Sequence, residues 1–186
     1  QETVKPAYAP KDHKPIGTQW VFAVKRNEHN EIIRWKARLV VLGNHQKEGI
    51  DYYETFSPTV HVKSIKNMLA IAAQEDLEID QLDYDTAFLN ATVKEDIYIR
   101  VPQHFHHPEL KPGMVLKLQK ALYGLKQAPR EWWKELDGTL QTLGYKSSPL
   151  DECLYMKMVD GKRIYLTLYV DDTLVFYPKM LKAVWD

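Results

Sequence analysis

The segment Ile164-Tyr165-Leu166-Thr167-Leu168-Tyr169-Val170-Asp171-Asp172-Thr173-Leu174-Val175-Phe176-Tyr177 sets two adjacent carboxylates inside an otherwise apolar, β-forming run. Its aromatic and β-branched content reads as two strands, Ile164 to Val170 and Thr173 to Tyr177, with Asp171-Asp172 turning the chain between them. Upstream, Asp160-Gly161 is a strong hairpin signal that joins a strand from Cys153 to Val159 to the first of these. Like charges in a low-dielectric setting are costly unless a cation compensates. Asp-Asp is equally an ordinary solvated turn pair, and the turn by itself does not separate the two readings.

A second acidic centre precedes it. The spacing of Ile65, Met68, Leu69 and Ala72 predicts a helix over 61–76. Ile79 to Leu82 follows as a strand that delivers Asp83 at its end, and Asp85 or Thr86 caps a short helix through Ala87, Phe88 and Leu89. If the strands bearing Asp83 and the Asp171-Asp172 turn lie side by side in one sheet, three carboxylates meet at one edge. Such oxygen ligands suit hard divalent cations, whose remaining positions take water and substrate phosphates. Two such ions, about 4 Å apart, activate an attacking hydroxyl and stabilise the leaving oxygen of an in-line phosphoryl displacement. The bland reading of Asp83 is a strand end or helix cap. Asp85 fits the cap better and stays out of the metal set.

Toward the N-terminus, Pro6, Pro10 and Pro15 make the first fifteen residues an extended lead-in rather than a core element. Trp20 to Lys25 and Ile32 to Leu42 read as two strands of a hairpin, joined by a polar turn over Asn27 to Asn30 and ended by Gly43-Asn44. The period of two aligns Arg34, Lys36 and Arg38 on one side of this ribbon. Ile97 to Ile99 and Val115 to Leu118 are further short strands. Pro129 fits the first turn of a helix that runs through Trp132, Leu136 and Leu140 and stops at Gly144. Interleaved helices and antiparallel strands predict an α+β class.

The 186 residues carry 25 basic and 25 acidic side chains, and this neutrality counts against a nucleic-acid binder. The distribution is uneven, however. Arg26, Arg34, Lys36 and Arg38 cluster between Lys25 and Lys47, whereas Glu75, Asp76, Glu78, Asp80, Asp83 and Asp85 follow one another closely. A single cysteine, Cys153, excludes an internal disulfide and a zinc spacing, so a reducing compartment is the default. It reads as a small buried residue. His104, His106 and His107 lie in a loop without partners at a metal-ligand spacing. A Gly-rich phosphate loop and a Ser-His-Asp set are both missing. No stretch approaches the apolar length of a membrane span and the N-terminus lacks a signal-peptide layout, so the expectation is a soluble, intracellular chain.

Five stretches in one order then make a family resemblance. They are Arg34-Trp35-Lys36-Ala37-Arg38-Leu39-Val40-Val41 with Gly43 and Gln46; Gly49-Ile50-Asp51-Tyr52 through Phe56-Ser57-Pro58; Gln81-Leu82-Asp83-Tyr84-Asp85-Thr86-Ala87-Phe88-Leu89-Asn90; Leu122-Tyr123-Gly124-Leu125-Lys126-Gln127-Ala128-Pro129-Arg130; and Tyr169-Val170-Asp171-Asp172. Across nearly its full length the chain resembles the reverse transcriptases of Ty1/copia-type LTR retrotransposons. The resemblance implies an α+β fold of fingers and palm, with an antiparallel palm sheet packed on helices. Its parts would be a lead-in over 1–15, a fingers hairpin region over 16–60, the first part of the palm over 61–92, the second part of the fingers over 93–127 and the second part of the palm over 128–186.

The resemblance also implies roles. Asp83, Asp171 and Asp172 become the catalytic carboxylates that hold two Mg²⁺, with Mn²⁺ a substitute, and the backbone carbonyl of Tyr84 also faces a metal. Phe88 would lie beneath the incoming sugar, where its ring excludes a 2′-hydroxyl; a plain core aromatic is the alternative. Lys36 or Arg38 would meet the triphosphate, since a one-residue register change flips the strand faces. Tyr123 belongs to the nucleotide site, and Gly124, Lys126, Arg130 and Tyr169 to the template-primer contacts, where an aromatic face stacks on a base and glycine admits close backbone. Trp132 and Trp133 follow on a helix, with packing the better reading for at least one.

Partners implied are an RNA or DNA template with primer and deoxynucleoside triphosphates, with no membrane and no assignable oligomeric state. The setting would be cytoplasmic, in virus-like particles, with nuclear entry of the parent element. Complete enzymes of the family continue into a primer-gripping segment, a thumb and an RNase H domain, so a chain stopping at Asp186 is expected to be a fragment with the thumb absent. Two departures stand out. Asn90-Ala91 occupies a place where the family often has glycine, and Tyr84 is larger than the usual aliphatic residue. The rival is a non-catalytic, truncated or domesticated remnant that only binds nucleic acid or a protein partner. An RRM-type domain is disfavoured because paired aromatics on two central strands are missing.

Overall fold

The computed structural model describes residues 2–182. Its elements run β1 (Val4–Ala7), β2 (Thr18–Arg26), β3 (Ile32–Val41), α1 (Val62–Glu75), β4 (Leu77–Asp83), α2 (Ala87–Asn90), β5 (Tyr98–Ile99), β6 (Val115–Leu118), α3 (Ala128–Thr142), β7 (Lys146–Ser148), β8 (Asp151–Val159), β9 (Lys162–Tyr169) and β10 (Asp172–Pro178). The chain divides into two units, Gln1–Phe56 with Phe88–Trp132 and Ser57–Ala87 with Trp133–Asp186. The lead-in over 1–15 belongs to the first unit. No helix among the described residues is long and apolar enough to cross a membrane.

The second unit is built on an antiparallel sheet of order β4-β10-β9-β8-β7. Asp160 and Gly161 both take positive φ between Val159 and Lys162, the backbone that a two-residue hairpin of matching twist demands. Helix α1 lays Met68 and Ala72 on the buried Phe176, with Leu154, Tyr165 and Leu174 packed around them. Leu69, expected on the same stripe, is largely exposed. At 3.6 residues per turn it lies about 100° from the Met68 direction, outside the contact face. From β8 the fully buried Tyr155 donates its hydroxyl to Asp137 of α3 at 2.8 Å. Helix α3 ends before Gly144, whose φ of 85° supplies the left-handed stop.

One buried carboxylate ties this unit together. Asp151 Oδ2 accepts the backbone N–H of His61 at 2.9 Å and the hydroxyl of Ser64 at 2.6 Å, at the start of α1, while Oδ1 accepts the N–H of Cys153 at 3.0 Å. Burial alone would raise its pKa, but the Ser64 hydroxyl, these two amides and His61 together hold it below the ordinary carboxylate value. A depressed folded-state pKa gives stability that is present above the unfolded value, near 3.9, and lost as pH falls through the folded one. Asp151→Asn is expected to cost about 2–3 kcal/mol at neutral pH. Its stability should also fall less steeply than the parent's below about pH 4. Urea unfolding at pH 7 and pH 3 measures both.

In the first unit β1, β6 and β5 form one sheet in that order, and β2 pairs with β3 as a separate ribbon. The extended lead-in thus contributes an edge strand, Val4 to Ala7 opposite Leu118 to Val115. Pro6 is tolerated there because an edge strand leaves one row of N–H groups unused. Thr86 has a φ of 54°, so it does not take the extended backbone of an N-cap residue as expected.

Candidate active site

Tyr169 and Asp172 pair directly across the β9–β10 hairpin, which leaves Val170 and Asp171 as its two-residue loop. Asp172 is therefore a strand residue and only Asp171 belongs to the turn. Val170 sits at a φ of 59°. The first position of such a loop favours glycine, and a β-branched residue held there stores strain on the order of 1–3 kcal/mol.

The register between β4 and β10 sets Asp83 opposite Asp172. The N–H of Tyr84 donates to the carbonyl of Asp171 at 3.1 Å, so the end of β4 is pinned to the loop. Strand order and this one bond thus bring the backbones of Asp83, Asp171 and Asp172 together within one unit. Like charges directly opposite on a ladder are destabilising. Gln81 Nε2 donates to Asp172 Oδ1 at 3.1 Å. Asp83 and Asp172 are exposed and Asp171 is half-buried. Among the described residues no group of three or more His, Cys, Asp or Glu side chains is placed so that together they could hold a metal ion. An open, oxygen-only set still fits Mg²⁺, which binds through one or two carboxylates plus water and substrate phosphates rather than a protein cage.

Apart from Tyr84 and Tyr169, which belong to the second unit, the other expected residues lie in the first. Cross-strand pairs Lys25–Arg34, Ala23–Lys36 and Val21–Arg38 put the cations on one face of the β2–β3 ribbon, as the alternation predicts. The Arg38 guanidinium lies 5.0 Å over the ring of Tyr123, and Phe88 meets that ring edge-on with centroids 4.9 Å apart. Three residues far apart in sequence thus form one cluster. Lys36 makes no ion pair or side-chain hydrogen bond among the described residues and is the freer cation. The opposite ribbon face is apolar and exposed, with Phe22 at 74% and Trp35 at 73%. The same period of two, applied to Trp20, Phe22 and Val24, carried that signal.

Gly124 is needed by the chain itself. It has a φ of 88°, and a Cβ there would lie 2.1 Å from the Val41 carbonyl oxygen. The Val41 N–H donates to the Tyr123 carbonyl at 2.8 Å, so this approach fixes Tyr123 against the end of β3. Gly124→Ala is expected to destabilise the fold by roughly 2–4 kcal/mol, read as a lower thermal midpoint.

Lys126 and Arg130 are already engaged within the first unit. Lys126 Nζ donates to the Tyr52 hydroxyl at 3.0 Å and lies over its ring, while Arg130 pairs with Glu54 and donates to the Phe56 carbonyl at 3.0 Å. Tyr169 is exposed, Trp132 is buried and Trp133 is half-buried. Cys153 is buried, and burial pushes its thiol up to about 12. Sequence reading missed a buried amide pair. Gln127 Nε2 donates to the Asp51 carbonyl at 2.7 Å, its Oε1 accepts Gln46 Nε2 at 2.9 Å, and Gln46 Oε1 accepts the Lys126 N–H at 2.8 Å. No local pattern announces two glutamines 81 positions apart.

Comparison with known proteins gives the family. The family model described as reverse transcriptase (RNA-dependent DNA polymerase) matches residues 1–184. The chain is 44% identical over 93% of its length to the retrovirus-related Pol polyprotein from transposon TNT 1-94 of Nicotiana tabacum. It is 42% identical over 86% of its length to the corresponding polyprotein from transposon RE1 of Arabidopsis thaliana. It spans only 13% and 11% of these two relatives. A family match along almost the whole chain, with these two relatives, places the protein in the reverse transcriptase family, in its Ty1/copia-type branch.

Proposed function

We propose that this chain carries the nucleotidyl-transfer centre of a Ty1/copia-type Pol polyprotein and extends a primer 3′-hydroxyl on an RNA or DNA template. The observation that carries the reading is the pairing of Asp83 with Asp172 across β4 and β10, beside a loop that presents Asp171. Isolated acidic turns occur everywhere, but two carboxylates held face to face by a ladder are a standing electrostatic cost. That cost is repaid when a divalent cation is the intended occupant.

When bound, two Mg²⁺ supply Lewis-acid stabilisation to the attacking and leaving oxygens. The protein's own part is to orient and to discriminate. Asp83, Asp171 and Asp172 offer the oxygens, and the bond from the Tyr84 N–H to the Asp171 carbonyl holds two of them in register. Lys36 takes the triphosphate, where a cation offsets charge developing on the departing diphosphate. Arg38 buttresses Tyr123, and Phe88, braced on the same ring, excludes a 2′-hydroxyl. In these terms the first unit corresponds to the fingers and the second to the palm.

The test is primer extension by the chain lengthened beyond Asp186 to the extent of its longer relatives. Extension with Mg²⁺, abolished by EDTA and restored by added Mg²⁺, is the expected result. A folded, lengthened chain that extends neither an RNA-templated nor a DNA-templated primer sinks the reading and leaves a non-catalytic remnant.

A further inference from the structure

Within the first unit, apart from every residue given a catalytic, nucleotide or template role above, lies a cavity of about 260 Å³. Lys14, His45, Lys47 and Arg100 line it, together with Asp12 and Asp51. Neither carboxylate forms an ion pair with the lysines or the arginine of this cavity. Asp12 lies 3.2 Å from Nδ1 of His13, and Asp51 Oδ2 accepts the N–H of Lys47 at 2.7 Å. None of Lys14, His45, Lys47 and Arg100 makes an ion pair among the described residues. Lys14, Lys47 and Arg100 outnumber the two carboxylates, and cations left unpaired round one concavity bias its potential toward positive.

The walls are fixed by main-chain bonds. Ile16 donates to the Tyr98 carbonyl at 2.8 Å and Arg100 donates to the Ile16 carbonyl at 2.8 Å, which clamps the lead-in to the end of β5. Across the cavity, the Asp51 N–H donates to the Lys47 carbonyl and the Gly49 N–H to the Tyr52 carbonyl, both at 2.9 Å, which closes the loop after β3. The cationic side chains therefore project from anchored backbone. The volume falls below the roughly 300–1,000 Å³ of pockets that enclose drug-sized ligands. It suits a small anionic group instead of a whole nucleotide. A guanidinium fork combined with ammonium point charges is the donor set that phosphoryl oxygens prefer.

We infer that this cavity is a phosphoryl-binding site, for a free phosphate or diphosphate or for one phosphate of a nucleic-acid strand. The inference does not rest on the polymerase reading and needs neither the aspartates nor a metal. It is tested on this chain by ¹H–¹⁵N spectra during titration with inorganic diphosphate and, separately, with an oligothymidylate, against sodium chloride at matched ionic strength. Saturable shifts are expected at Lys14, His45, Lys47 and Arg100. They should weaken at least ~10-fold in a Lys47→Gln/Arg100→Gln double variant. Saturation by diphosphate alone identifies a free phosphate ligand, and saturation by the oligonucleotide as well identifies a strand; both support the site. Should the double variant lose its folded spectrum, Lys14→Gln carries the comparison. Shifts that chloride reproduces, that do not saturate, or that persist unchanged in the variant overturn the inference.

Discussion

Asp172→Asn is expected to abolish primer extension by the lengthened chain while leaving its fold slightly more stable than the parent's. The substitution keeps the oxygen that accepts from Gln81, so the hydrogen bond at 3.1 Å survives. It removes the like-charge pair with Asp83. Directly opposed like charges cost roughly 0.2–1 kcal/mol, and that amount should appear as a gain on thermal or urea unfolding. Activity should fall roughly 10³-fold or more, about 4 kcal/mol of transition-state stabilisation. The opposite signs matter. A residue with only a packing role would lose stability and activity together, whereas a functional carboxylate held at an electrostatic cost separates them.

Phe88→Val is expected to act on sugar selection. The Phe88 ring meets Tyr123 edge-on, which holds it in one orientation. Valine removes the ring and with it the steric exclusion of a 2′-hydroxyl. Ribonucleotide incorporation should rise about 10²-fold relative to deoxynucleotide, the discrimination available to a shape-selective pocket. Thermal stability should drop by about 1–3 kcal/mol, because a half-buried aromatic and its edge-on partner are lost. Phe88→Tyr keeps the ring and should retain both properties. Equal sugar preference in Phe88→Val and the parent, measured by competing nucleotides in single-turnover extension, would show that Phe88 is only a core aromatic.

Much of this was legible because the informative features are local. The period of two placed Lys36 and Arg38 on one ribbon face, and Asp160-Gly161 announced its hairpin. The apolar runs on either side of Asp171-Asp172 marked two strands, and Asp83 ended a third. What stayed hidden is set by register and by contacts across long separations. Nothing in the run from Tyr169 to Asp172 states that the loop holds Val170 and Asp171 while Asp172 enters a ladder. That follows from how β9 and β10 align, and a slip of one residue would exchange the faces. Arg38 over Tyr123, Gly124 against Val41 and the Gln46–Gln127 pair depend on tertiary approach in the same way. Asp151 is a further case. Only the fold carries His61 and Ser64 to its carboxylate.

We propose that Asp83, Asp171 and Asp172 act as one divalent-metal site. The most direct measurement is paramagnetic broadening of ¹H–¹⁵N signals of this chain by substoichiometric Mn²⁺. Selective loss of the amide signals of Asp83, Tyr84 and residues 170–173 is expected, reversed by excess Mg²⁺ and absent in an Asp83→Asn/Asp172→Asn double variant. Broadening centred elsewhere, or unchanged in that variant, would contradict it.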